Sequence, residues 1–141
     1  MLKNLRVPFG VGAVLLALNG CSGLTEPRLE TDFDWGEVEE PETVVEGIST
    51  AVVLGDLFIL GQFNTPSHCY NLDADFQRKS SKVTLRVKAE PTGSPNCDES
   101  MGGFRYTARV INLKFNTYEL RVIHDITGGD GGEFTETLII R

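Results

Sequence analysis

Lys82-Val83-Thr84-Leu85-Arg86-Val87-Lys88-Ala89 decides the fold class of this chain. In an extended backbone successive side chains point to opposite faces. Val83, Leu85, Val87 and Ala89 therefore share one side, and Lys82, Thr84, Arg86 and Lys88 share the other. One apolar face and one charged face mark an antiparallel strand that packs on a core and meets water behind.

The same alternation recurs on both sides of this segment. Phe104–Val110 repeats it, as does Tyr118-Glu119-Leu120-Arg121-Val122, with Tyr118, Leu120 and Val122 inward. Upstream, Ser49–Leu54 and Leu57–Phe63 flank Gly55-Asp56, a dipeptide suited to a tight hairpin turn. Phe134–Ile140 reads as a last strand after the loop Gly128-Gly129-Asp130-Gly131-Gly132. Convincing helical periodicity is absent from 47–141. At least six such segments, separated by turn chemistry, predict an all-β antiparallel sandwich of about seven strands.

Leu113-Lys114-Phe115-Asn116-Thr117-Tyr118-Glu119-Leu120 resembles the Leu-x-Pro-Gly-x-Tyr-x-Leu segment of bacterial immunoglobulin-like and prealbumin-like sandwich domains. The resemblance covers about fifteen residues and concerns fold alone, since such sandwiches host many functions. It implies that Leu113 caps the core and that Tyr118 opens a strand as a tyrosine corner. Phe115 and Asn116 stand where proline and glycine are usual, and Asn116 is the residue expected to carry a positive φ.

The N-terminus carries a different signal. Lys3 and Arg6 precede a mostly apolar run from Val7 to Leu18, and no acidic residue occurs before Glu26. That run has the length of a cleaved signal and is too short to span a bilayer. It closes on Leu18-Asn19-Gly20-Cys21, which resembles the lipobox of bacterial lipoproteins, with Asn19 where a small or β-branched residue is commoner. The resemblance implies removal of residues 1–20 and acylation of Cys21, giving a protein held on a lipid bilayer by its N-terminal acyl groups. Such a protein works in the cell envelope, facing periplasm or cell surface. Ser22 rather than aspartate after the cysteine points to the outer membrane in a Gram-negative cell.

Charge is unevenly spread. Glu26–Glu46 holds nine carboxylates and one basic residue, Arg28, whereas 47–141 has eleven acids against ten Lys and Arg. The net charge of −7 thus belongs mostly to one segment. Residues 21–46 read as an extended acidic tether, and 47–141 as the sandwich domain. Phe33 and Trp35 are odd in a spacer, and two other roles stay open for them: anchors of an acidic docking peptide, or a first strand against the domain. No Lys/Arg cluster of the kind that neutralises phosphates is present, which argues against nucleic acid. The densest basic patch, Arg78-Lys79 with Lys82, reads as a solvated loop.

With Cys21 assigned to lipid, Cys69 and Cys97 remain as an even pair in a compartment that permits disulfides, and they are expected to bond. Closing a loop of about 29 residues contributes roughly 3–4 kcal/mol in the chain-entropy picture. Free thiols and a metal site are the alternatives, although a zinc site would need two further ligands.

Candidate sites are few. His68 and His124, with a carboxylate such as Asp125, would form a metal site only if the fold brought them together. Asn71-Leu72-Asp73-Ala74-Asp75 spaces oxygen ligands as a calcium loop does, but Phe76 and Lys82 stand where glycine and glutamate belong. The glycine cluster lacks a phosphate-binding lysine, and no nucleophile or metalloprotease motif occurs. No catalytic residue, metal or cofactor is implied. The expected function is a non-catalytic binding or accessory module that contacts a protein or envelope component. It would use a sheet face or the loops Thr65–Asp75, Glu90–Gly103 and Thr127–Glu133, since loops on a rigid scaffold carry recognition. The alternative is an inhibitor of a protease or other hydrolase, presenting the stapled segment Pro91–Gly103.

Overall fold

The computed structural model describes residues 29–141; the signal-like segment, the lipobox and Cys21 lie outside the described residues. Eight strands alternate in direction along the chain: β1 (Glu30–Glu37), β2 (Gly47–Val53), β3 (Asp56–Thr65), β4 (Tyr70–Lys79), β5 (Lys82–Pro91), β6 (Gly102–Ile111), β7 (Asn116–Ile126) and β8 (Gly132–Ile140). They form two four-stranded sheets, ordered β1-β6-β3-β2 and β4-β5-β7-β8. All neighbours are antiparallel except β5 and β7, which are parallel. A β-sandwich is the result, with one strand more than the roughly seven expected and one pairing that sequence patterning did not distinguish.

The core follows the alternation. Val83, Leu85, Val87 and Ala89 of β5 are fully buried and meet Leu57, Ile59 and Phe63 of β3 and Phe104, Tyr106, Ala108 and Val110 of β6 in one continuous cluster. Gly61 has a specific packing reason. A Cβ there would overlap the Tyr106 ring, which crosses the backbone of β3 at its paired position. Tyr118 is buried, and its hydroxyl donates to the Lys114 carbonyl oxygen at 3.1 Å, four residues upstream, as a tyrosine corner does. The positive φ in this corner belongs to Asn112 (+54°), not to Asn116.

The first hairpin turn is also displaced by one residue from its expected place. Leu54 and Gly55 both take positive φ (+51° and +85°) between the paired residues Val53 and Asp56, the pattern of a two-residue type I′ turn. Asp56 begins β3 and clamps this end. One carboxylate oxygen accepts from the Asn112 amide at 3.0 Å, and the other from Arg109 Nε at 3.1 Å. These bonds hold the Asp56 carboxyl below its ordinary pKa range, the Asn112 amide first and Arg109 second.

The acidic tether reading of 21–46 is corrected over its described part, residues 29–46. Residues 30–37 form β1, paired along its full length with β6. Phe33 sits 5.6 Å from Tyr106 and Trp35 5.7 Å from Phe104, ring centre to ring centre. Asp32 and Asp34 alternate with them on the outer face, where Asp32 lies 4.0 Å from Arg109. Glu30, Asp32 and Asp34, three of the acids that suggested a spacer, are thus the wet half of an edge strand, and charge on an edge also discourages pairing with other chains. Val44, in the following connection, is buried against Gly103.

Candidate functional site

Strict alternation of direction puts the connections of this chain at two ends with different character. At one end lie short links: 54–55, 80–81 and 112–115. At the other lie 38–46, 66–69, 92–101 and 127–131, three of them longer than any link at the first end. The three loop regions expected to carry recognition therefore converge at one end, although Tyr70–Asp75, counted among them, is strand.

These loops are fastened to one another. Cys69 and Cys97 form a disulfide. The Thr92 amide donates to the Cys69 carbonyl at 2.9 Å, and Tyr70 Oη donates to the Thr127 carbonyl at 2.7 Å. Asn64 Nδ2 donates to the carbonyls of Pro41 (2.7 Å) and Gly102 (3.2 Å), and the Val38 amide donates to Gly103 at 2.8 Å. Gly102 makes this convergence possible. A Cβ there would lie 2.5 Å from the Ser67 carbonyl oxygen and 2.8 Å from His68 Cα, so any larger residue would push the 66–69 loop away. Loop 92–101 is exposed except at Cys97.

Beside this end, the outer face of the first sheet holds a cleft of about 690 Å³, lined by Asp34, Trp35, Val45, Ser49, Leu60, Gln62, Arg105 and Thr107 among others. Leu60 (49% exposed) and Val45 (74%) give it apolar surface. Its floor is braced by Arg105 Nε donating to Gln62 Oε1 at 3.1 Å and Gln62 Nε2 donating to the Val45 carbonyl at 2.7 Å. The outer face of the second sheet is a lattice of opposite charges instead. Arg121 is 2.7 Å from Glu133, Arg86 3.3 Å from Asp125, and Lys82 3.7 Å from Glu119. Exposed pairs of this kind contribute little to stability; they mark a solvated face.

The two histidines are not brought together. His124 is 2% exposed between the sheets, stacked 4.9 Å from Phe63 and 5.1 Å from Phe134. Its Nε2 accepts from Tyr106 Oη at 2.7 Å, and its Nδ1 donates to Glu46 Oε1 at 3.3 Å, the bonding of a neutral imidazole. Burial pushes the His124 pKa below its ordinary value, against the opposing pull of Glu46. Burial likewise pushes the Tyr106 hydroxyl up. Sequence gave no sign of this cluster, because Glu46 and His124 are 78 residues apart.

His68 lies at the loop-rich end. Its Nδ1 is 3.2 Å from both Asp98 Oδ1 and Ser100 Oγ, and Ser100 Oγ also donates to Asp98. A Ser-His-Asp relay needs the serine and the carboxylate on opposite ring nitrogens. Here both meet the same nitrogen, so the trio is a loop brace. Asn71, Asp73 and Asp75 are not a calcium loop: they alternate along β4 with outward side chains, and Asp73 and Asp75 pair in register with Lys88 and Arg86. Arg78 is not a free basic group either, since its guanidinium lies 5.5 Å over the Tyr118 ring.

No family model, no curated protein and no solved structure matches the chain.

Proposed function

We propose that this protein is a non-catalytic binding or accessory module of the cell envelope, anchored by lipid on Cys21 and presenting its loop-rich end and the adjoining cleft to a protein or envelope component. The observation that carries this reading is the polarity of the sandwich. Glu30, the first residue of β1, sits at the end with the short turns, opposite loops 38–46, 66–69, 92–101 and 127–131. Only residues 22–29 separate it from Cys21. Even fully extended, that link reaches about 30 Å. An anchor on Cys21 therefore holds the short-turn end toward the bilayer and turns the long loops outward. Loops on a rigid scaffold, next to a cleft that mixes apolar and polar groups, are suited to recognition.

Capture with the full chain tests this. Leu60→Glu and Arg105→Glu alter the cleft on the sheet's outer face, away from the core. Each is expected to release a stoichiometric partner by at least about tenfold in affinity, while Lys82→Glu on the opposite sheet leaves it bound. Equal binding by all three would remove the cleft from the proposal. The inhibitor reading keeps one specific support: loop 92–101 is exposed along its length and stapled near its middle at Cys97. It predicts a trapped hydrolase whose activity is restored by changing Thr92–Asn96 and not by the cleft variants.

A further inference from the structure

We propose that the loop-rich end holds a redox-gated site for a thiophilic d10 ion, Cu(I) or Zn(II), formed when the Cys69–Cys97 disulfide is reduced and the two sulfurs and His68 close on one ion. One ring nitrogen of His68 and both sulfurs lie within 4.8 Å of one another. Metal bonds of about 2.0–2.3 Å place ligand atoms roughly 3.5–4 Å apart, so local side-chain motion suffices to assemble the set. Thiolate and imidazole are the donors such ions select.

Three features favour this cluster over an ordinary structural disulfide. Both cysteines and His68 are half-buried, which leaves a path for reductant and ion. Asp98 lies 3.2 Å from His68 Nδ1, where it holds the tautomer that donates Nδ1–H and leaves Nε2 as a ligand, the usual arrangement behind a metal-binding histidine. Finally, the loops stay joined without the sulfur bond, through Thr92 to Cys69 and Asp98 to His68. Met101 lines the same depression as His68, and its exposed thioether is a donor type that suits Cu(I).

The chemistry balances with a dithiol reductant. One of its thiolates attacks a protein sulfur to give a mixed disulfide, and its second thiol resolves this. The protein is left with two thiols and the reductant with a disulfide, two electrons having moved. The ion then displaces both thiol protons to water, so uptake strengthens as pH rises.

The experiment uses the full chain carrying Cys21→Ser, so that only two sulfhydryls are available. It is reduced with a phosphine, freed of reductant under nitrogen, and titrated with Cu(I) or Zn(II) against a chromophoric chelator. Circular dichroism confirms that the reduced chain stays folded. One equivalent is expected to bind the reduced form and none the oxidised form. His68→Gln should weaken binding by at least about tenfold, and Asp98→Asn by about 10–100-fold. Uptake of either ion by the reduced chain supports the site. Uptake by the oxidised chain, no uptake of either ion by the reduced chain, or affinity unmoved by His68→Gln would overturn the proposal, the last because any flexible dithiol would behave so. His68 is partly exposed, so its variant carries the test even if Cys97→Ala fails to fold.

Discussion

Lowering pH from 7 to 5 should destabilise this protein through one side chain, His124. In the folded state its imidazole is neutral, enclosed by Phe63, Phe134 and Tyr106, and its pKa lies below the ordinary value. In the unfolded chain it titrates near 6.5. Between the folded and unfolded pKa values the unfolded chain binds one proton more. The stabilisation is therefore complete above about pH 6.5 and is lost as pH falls toward the folded pKa, with a limiting slope of about 1.4 kcal/mol per pH unit. For a domain of roughly 110 residues this corresponds to about 6 °C in Tm per unit. Glu46, 3.3 Å away and itself part exposed, draws the proton in and makes that slope an upper bound. Asp56, Asp98 and Glu133 also have lowered pKa values, but carboxylates of this kind lose their stabilisation below about pH 4.5, outside the window. The control is His124→Phe combined with Tyr106→Phe, which removes both partners of the buried hydrogen bond and avoids orphaning either. Thermal melts at half-unit steps should show Tm falling in the wild type and a flat profile in the double variant. A flat wild type, or an equal slope in both proteins, would refute the assignment of the pH dependence to this imidazole.

A chain shortened to begin at Gly47 loses β1, uncovers the β6 edge and exposes Phe104 and Tyr106; it should melt lower or aggregate, whereas one beginning at Leu29 should match the parent, and equal Tm values would show that β1 is dispensable. Cys97→Ala should cost roughly 3–4 kcal/mol by urea denaturation, and unreduced peptide mass spectrometry should show Cys69 joined to Cys97; two free thiols would contradict this. Gly61→Ala forces a methyl into the Tyr106 ring and should cost about 1–3 kcal/mol, so an unchanged denaturation midpoint would mean that the ring moves freely. Metabolic labelling with a palmitate analogue should mark the wild type and vanish in Cys21→Ser; label retained by the variant would exclude acylation at this residue.

The alternating segments could be read directly because a strand's burial pattern has the period of its own backbone. Val83, Leu85, Val87 and Ala89 needed no partner to reveal that they face a core. Tyr118 was legible for a similar reason: its hydrogen bond reaches only four residues back. β1 was misread because composition averages over both faces. Nine acids across 26–46 concealed Phe33 and Trp35 alternating with Asp32 and Asp34. The Leu54-Gly55 turn was shifted by one residue because leucine rarely takes a positive φ and gives no local hint that it does.

By itself, then, the sequence determined the all-β class, the inward faces, the expected pairing of two cysteines and the signal-like N-terminus, all of which depend on neighbours a few residues apart or on simple counting. Only the tertiary structure decided that loops 38–46, 66–69, 92–101 and 127–131 share one end, that β5 and β7 run parallel, that His68 meets the disulfide, and that His124 bonds Tyr106 and Glu46 across the core. Those facts depend on which strands are neighbours. Strand order is set by the summed packing of two sheets, and no short stretch of this chain contains that sum.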